Sequence, residues 1–193
     1  MRERLAMSRR RRHPRHRGCR DVRPLTQKAH RLMLIRPFQP ADLAALVDLT
    51  IEVFGPFYEE SFRAMVPPDV YEHQHGSWAD DYRDVVPTLH DPGQDKHVLV
   101  AETDTHEIVA YIGWVIDSER RHGDIDIVGV RESARGHGLG RRLCEEAMSH
   151  MREQQVEVVG VGTGGDPFHA PARGLYESLG FHLVPVSRYL RAL

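Results

Sequence analysis

Three glycines at alternate positions mark the segment RESARGHGLGRRL, which covers residues 131–143. Gly136, Gly138 and Gly140 lie among four arginines and follow a short apolar run. Glycine accepts backbone conformations that bring successive N–H groups against one anion, and a helix N-terminus adds the positive end of its dipole. The pattern therefore predicts a phosphate-binding turn that leads into a helix near residues 139–153.

Two familiar phosphate motifs do not account for this turn. A dinucleotide fingerprint requires G-x-G-x-x-G, whereas the spacing here is G-x-G-x-G. A nucleotide-triphosphate loop requires Gly-Lys-Ser or Gly-Lys-Thr, and the only lysines of the chain are Lys28 and Lys96. The anion is therefore bound by another arrangement.

The strand predicted near residues 124–130, before this turn, has an irregular pattern. In DIDIVGV the two-residue alternation of apolar side chains slips between Ile127 and Val128, which predicts a β-bulge there. Gly129 lacks a side chain, so another backbone or a ligand is expected to approach at that point. A bulge would also leave backbone amides unpaired and available to a ligand.

Two motifs in sequence order carry a resemblance to a known family. Arg135 to Gly140 match the pattern Q/R-x-x-G-x-G/A, and HAPARGLYESLGF, residues 169–181, follows N-x-x-A-x-x-L-Y-E-x-x-G-F from its fourth position onward. The chain thus resembles the GNAT family of N-acetyltransferases over residues 33 to 193, most strongly from 124 onward. This resemblance implies a mixed α/β fold, with a mostly antiparallel twisted sheet that splays at the cofactor site and helices that flank it.

The resemblance also implies acetyl-CoA as co-substrate and a set of residues that hold it. The strand would hold the pantetheine arm and point an amide at the acetyl carbonyl, and the glycine turn would wrap the pyrophosphate. His169 stands where the family commonly has asparagine and keeps the ability to donate a hydrogen bond. The implied cofactor-binding residues are Val128, Gly129, Val130, Arg135, Gly136, His137, Gly138, Leu139, Gly140, Arg141 and His169.

Acyl transfer to an amine requires two proton transfers, one from the amine and one to the departing thiolate. Tyr176 matches the position of the family's general acid, which would protonate the departing thiolate. An alkylamine is protonated at neutral pH, so a base is also required. Asp124 matches the position where several family members carry an acidic base, and Asp126 is the second candidate; ordinary solvated carboxylates at a strand start are the alternative.

The acceptor is expected to be a primary amine, with a small molecule favoured. The aromatic and acidic stretch from Phe54 to Tyr82 is where the family usually builds its acceptor pocket, and four acidic residues there would suit a cationic amine or form a solvated surface. The alternative function is a non-catalytic sensor or scaffold that binds acyl-CoA. The four acidic residues are Glu59, Glu60, Asp80 and Asp81.

Composition favours one domain, residues 33–193, behind a basic and disordered extension, residues 1–32. Residues 1–31 hold twelve basic and two acidic side chains with almost no apolar content to offset the entropy of ordering. A dispensable extension is favoured over a nucleic-acid arm or a transit peptide. The two cysteines, Cys19 and Cys144, have no metal-ligand spacing, so no metal is expected.

The absence of an apolar run of about 18 residues argues against a membrane span, and scarce cysteine favours the cytoplasm. A homodimer is compatible with the sequence. The hydrophobic pattern predicts a strand at MLIRPF, a helix opened by Pro40, a hairpin over residues 96–117, and strand–helix–strand units after it. A short helix near 171–179 and a last strand, FHLVPVSRYL, complete the prediction.

Overall fold

A computed structural model describes residues 33–192 of the chain. The predicted basic extension, residues 1–32, and Cys19 lie outside the described residues. The strands are β1 (Leu34–Pro37), β2 (Lys96–Glu102), β3 (Ile108–Asp117), β4 (His122–Val130) and β5 (Val158–Val161). The helices are α1 (Leu43–Pro56), α2 (Arg63–Met65), α3 (Pro68–His75), α4 (Trp78–Val85), α5 (Leu139–Glu153) and α6 (Ala170–Ser178).

The five strands form one sheet in the order β1-β2-β3-β4-β5. Neighbours from β1 to β4 are antiparallel, and β5 is parallel to β4 because α5 carries the chain back across the sheet. The mixed α/β class and the mostly antiparallel sheet are as predicted.

Each face of the sheet has its own apolar core. On one face, α5 buries Leu139, Leu143, Cys144, Ala147 and Met151, which confirms its predicted apolar side. On the other face, α1 buries Leu46, Leu49 and Val53 against the sheet. Burial and the nearby Glu145 carboxylate raise the pKa of the Cys144 thiol to about 11, so this cysteine is a protonated packing residue.

Short helical segments fill the region between α1 and β2, where the sequence has Pro56, Pro67, Pro68 and Pro87. A π-helical turn, Phe57–Phe62, follows α1 directly. The prolines end or open these segments because each lacks a backbone N–H. None of the helices within residues 33–192 is long and apolar enough to cross a membrane.

A bulge interrupts β4, although not at the predicted position. The pairing with β3 shifts between Gly113 and Trp114, so Asp126 is the extra residue rather than the step between Ile127 and Val128. The predicted position was wrong because both faces of the sheet are covered by apolar cores. Ile127 packs on the α1 side and Val128 packs on the α5 side, so two apolar residues in succession need no bulge between them.

The sheet splays just after this bulge. The ladder between β4 and β5 ends at the pair Ile125 and Val161, so the backbone of β4 from Asp126 onward has no strand partner on its β5 side within the described residues. This is the expected splay, and it leaves a strand edge open to a ligand.

Gly129 lets a core side chain pack against the backbone of β4. A Cβ atom at Gly129 would lie 2.5 Å from Cε1 of Tyr111. Tyr111 is fully buried, and its hydroxyl lies 2.7 Å from Oγ1 of Thr50. The tyrosine ring therefore occupies the space that a side chain at Gly129 would need, and ligand binding by the Gly129 backbone stays a prediction.

Gly129→Ala should lower the free energy of unfolding by about 1–3 kcal/mol, because the added methyl group overpacks a core that holds a fixed ring. Chemical denaturation followed by circular dichroism measures this change. Gly174→Ala is the matched control, since a Cβ atom there meets open space within helix α6. Equal stabilities of Gly129→Ala and the wild type would contradict the packing role.

The predicted last strand is not formed. Residues 181–192 have no regular secondary structure, and Leu183, Val184, Val186 and Tyr189 are exposed. Pro185 lies in the middle of the predicted strand and has no N–H to donate to a ladder. The alternating apolar pattern alone was therefore a misleading signal.

Candidate active site

A cavity of about 390 Å³ lies against β4 and the end of β5, with walls from α1, α4 and α6. Phe54 and Tyr82 stack in one wall with ring centroids 5.4 Å apart. The polar side chains on the cavity are those of Tyr82, Thr88, Lys96, Asp126, Thr163, His169 and Tyr176. The cavity thus combines apolar walls with groups that can move protons.

The cavity brings together some of the residues predicted for the site and leaves others outside. Asp126, Val128, His169 and Tyr176 line it. Gly129, Val130 and the glycine turn from Arg135 to Arg141 do not. The predicted site is therefore divided between a cavity and a separate turn.

The two candidate bases differ in position. Oδ1 of Asp124 lies 3.3 Å from Nε2 of His122, and Asp124 is not among the residues that line the cavity. Asp126 is the bulge residue and does line it. Burial and the Asp124 carboxylate raise the pKa of Asp126, and the charge of Lys96 opposes this rise. Of the two carboxylates, only Asp126 is placed to meet a ligand in this cavity.

Tyr176 extends from α6 to the cavity. Its ring packs edge-on against Phe181, with centroids 5.9 Å apart. Burial, with a smaller effect of Cys144, raises the pKa of the Tyr176 phenol to about 12. The phenol is therefore protonated at neutral pH and can donate a proton.

His169 caps the start of α6 and pairs with a residue that the sequence analysis missed. Nδ1 of His169 lies 2.6 Å from Oδ2 of Asp166. Burial acts to raise the pKa of Asp166, but the hydrogen bond and the charge of His169 outweigh it, so the pKa is lowered. The only sequence signal for this pair is the D-x-x-H spacing before a helix.

The acidic residues of the predicted acceptor stretch do not line the cavity. Glu59 accepts a hydrogen bond from Nε1 of Trp78 at 2.8 Å and pairs with Arg63. Asp80 pairs with Arg83 on the surface. Within the described residues, the aromatic members Phe54 and Tyr82 contribute to the cavity, and Asp126 is its only acidic side chain.

The glycine turn has the geometry of an anion cradle. Gly136 and Gly138 have φ angles of +78° and +73°, in the left-handed region that favours glycine. Among residues 33–192, no acceptor is found for the backbone N–H groups of residues 136–141. Nε of Arg135 donates to the carbonyl of Val130 at 2.9 Å, which fixes the cradle to the end of β4.

Two contacts connect this cradle to the helix that carries Tyr176. A Cβ atom at Gly140 would lie 3.3 Å from Cδ2 of Leu175, so the glycine lets α6 approach α5 closely. The guanidinium of Arg141 donates to Oγ of Ser178 at 2.6 Å and to its carbonyl at 3.1 Å. The side chain of Arg141 therefore joins the two helices.

The fold is a mixed α/β sheet with flanking helices, and the site combines a cavity at an open strand edge with a glycine turn. The chain belongs to the GNAT acetyltransferase family, because the sequence model of that family matches residues 57–181, more than half of the chain.

Curated relatives include proteins named mycothiol acetyltransferase. The one from Thermomonospora curvata is 31% identical over 156 residues, which are 78% of this chain and 50% of that protein. The one from Streptomyces griseus is 27% identical over 152 residues, 77% of this chain and 48% of that protein. The chain spans about half the length of these relatives.

Solved structures share the fold at low sequence identity. An acetyltransferase of the GNAT family from Staphylococcus aureus superposes with a TM-score of 0.60 at 14% identity, covering 79% of this chain and 86% of that chain. The BH1408 protein of Bacillus halodurans, solved as a tetramutant, gives 0.61 at 21% identity, covering 83% of this chain and all of that one. These likenesses confirm the predicted fold.

Proposed function

We propose that this protein is an N-acetyltransferase that transfers the acetyl group of acetyl-CoA to a primary amine of a small molecule. One observation carries the proposal: Tyr176 and Asp126 lie on one cavity beside the splayed edge of β4, and Leu175, the residue before Tyr176, packs against Gly140 of the anion cradle. This arrangement supports a ligand whose phosphates bind at the cradle and whose acetyl group reaches the cavity.

The cradle fits the pyrophosphate of coenzyme A. Successive N–H groups that find no acceptor among residues 33–192, at the start of a helix of 15 residues, suit a doubly charged group. Space for the ligand is available, because Cβ atoms at Gly136 and Gly138 would meet nothing within 4 Å. The backbone of Arg135 to Arg141 would bind the phosphates, and the open edge of β4 over Val128 to Val130 would receive the pantetheine arm.

The acetyl group would then lie next to Val128 and Tyr176. A backbone N–H of Val128 to Val130 would donate to the acetyl carbonyl and stabilise the oxyanion that forms during the attack. Tyr176 would give its proton to the sulfur as the C–S bond breaks. Asp126 would bind the cationic acceptor and hold its nitrogen near the carbonyl carbon.

The cavity walls favour an amine that carries an apolar body. Phe54, Tyr82, Val85, Leu89 and Ile127 supply apolar surface. The names of the curated relatives make the amine of a thiol-bearing small molecule one member of the acceptor panel, although this chain covers only half of those proteins.

A panel of primary amines, incubated with the protein and acetyl-CoA, tests the proposal by release of the coenzyme A thiol. We expect release above the rate of hydrolysis for at least one amine with an apolar body. Tight binding of acetyl-CoA without release across aliphatic, aromatic and thiol-bearing amines would instead support a sensor or scaffold and contradict the proposal.

A further inference from the structure

Asp166 and His169 form a carboxylate–imidazole pair at the edge of the cavity. Oδ2 of Asp166 lies 2.6 Å from Nδ1 of His169, and the two side chains are only 10% and 17% exposed. Because the pKa of Asp166 is lowered, its carboxylate is ionised at neutral pH and can only accept. Nδ1 of His169 must therefore be the donor, and Nε2 is the nitrogen available to a ligand.

Gly164 and Arg173 contact this pair and the loop that carries it. A Cβ atom at Gly164 would overlap both Oδ2 of Asp166 and Nδ1 of His169, so only glycine fits there. Arg173 of α6 donates to the carbonyls of Gly164 and Asp166 and closes the loop over the pair. The imidazole orientation is therefore set by its surroundings.

Two aromatic rings pack against the imidazole of His169. Phe57 contacts His169 edge-on with ring centroids 4.5 Å apart, and Phe168 contacts it at 5.1 Å. His169 also lines the cavity that holds Asp126, Lys96, Tyr82 and Tyr176. Together with Asp166 and Arg173, these are the titratable and charged groups that the described part of the chain places around it.

We propose that His169, oriented by Asp166, is the general base that removes a proton from the acceptor ammonium. This inference rests on the proposed acetyl transfer and deepens it. His169 is then a catalytic residue, Asp166 is a positioning residue, and Asp126 supplies the negative charge that draws the ammonium into the cavity. Imidazole is the side chain most often used for this proton transfer, and a carboxylate on Nδ1 fixes the tautomer that presents a basic Nε2.

The proposed step is balanced in protons and electrons. The ammonium gives one proton to Nε2, and the imidazolium that forms is stabilised by the Asp166 carboxylate. The neutral amine attacks the acetyl carbon, the C–N bond forms and the C–S bond breaks. Tyr176 protonates the thiolate and regains a proton from the amide nitrogen, and the imidazolium releases its proton to water.

The test uses the full chain and compares two acceptors of similar shape. One is an alkylamine that is protonated at pH 7, and the other is a fluorinated analogue that is largely neutral at that pH. For His169→Gln and Asp166→Asn, kcat/KM for the alkylamine should fall by about 10²–10⁴-fold. The fall for the fluorinated amine should be only a few-fold, since that acceptor needs no base.

His182→Gln and Asp48→Asn are matched controls with exposed side chains outside the cavity, and both should keep wild-type values. Equal losses for both amines would show a structural role for the pair and overturn the proposal. The proposal is also overturned if the loss confined to the protonated amine occurs in Asp126→Asn and not in His169→Gln. Failure of the proposed function is a separate outcome, in which the wild type acetylates neither amine.

Discussion

Gly138→Asp should lower the affinity for acetyl-CoA by about 10³-fold while the protein stays folded. A new carboxylate about 4 Å from a phosphate charge costs about 4 kcal/mol at an effective dielectric constant of about 20. Gly138 is the N-cap of α5, and a Cβ atom there meets open space, so the change acts on the ligand rather than on the core. Isothermal titration calorimetry measures the affinity, and thermal denaturation checks the fold.

Gly138→Asn is the matched control for this experiment. Asparagine has the same shape as aspartate without the charge, and both tolerate a positive φ better than most residues. Its affinity loss should be much smaller than that of Gly138→Asp. An unchanged affinity in folded Gly138→Asp would show that the pyrophosphate binds elsewhere.

Tyr176→Phe should lower turnover by a factor of about 10²–10⁴ while the affinity for acetyl-CoA is kept. The substitution retains the ring and its contact with Phe181 and removes only the proton donor. Because burial raises the pKa of this phenol to about 12, the donor is present throughout the neutral range. Single-turnover kinetics with an active amine isolates the chemical step.

Tyr189→Phe is a suitable control, because that tyrosine is 91% exposed and outside the cavity. It should have wild-type turnover. If Tyr176→Phe also keeps the wild-type rate of the chemical step, water or another residue protonates the thiolate, and the assignment is wrong.

Elements with strong local signals were predicted well from the sequence. The helix expected near 139–153 is α5, Leu139–Glu153, because a regular apolar stripe determines which side of a helix is buried. The hairpin of β2 and β3 was equally clear, since both strands are apolar and a polar turn joins them. The glycine turn has the positive φ angles that its composition suggested.

Features that depend on distant contacts were not predictable. The packing of Tyr111, on the neighbouring strand, against Gly129 has no local sequence signal. Asp126, the bulge residue, lines the cavity, whereas Asp124 does not. The apolar pattern of β4 is compatible with two cores, so it cannot locate the bulge to one residue. Asp166 was missed because one D-x-x-H spacing is common, and its burial with His169 is visible only in the fold.

Acetyl transfer to an amine is tested most directly by following the acetyl group itself. The protein is incubated with acetyl-CoA labelled with ¹³C in the acetyl group and with the amine that releases most thiol, and the products are analysed by mass spectrometry. We predict an N-acetylated amine that carries the label in an amount equal to the thiol released. Thiol release accompanied by labelled acetate, without any labelled amide, would contradict acetyl transfer to an amine.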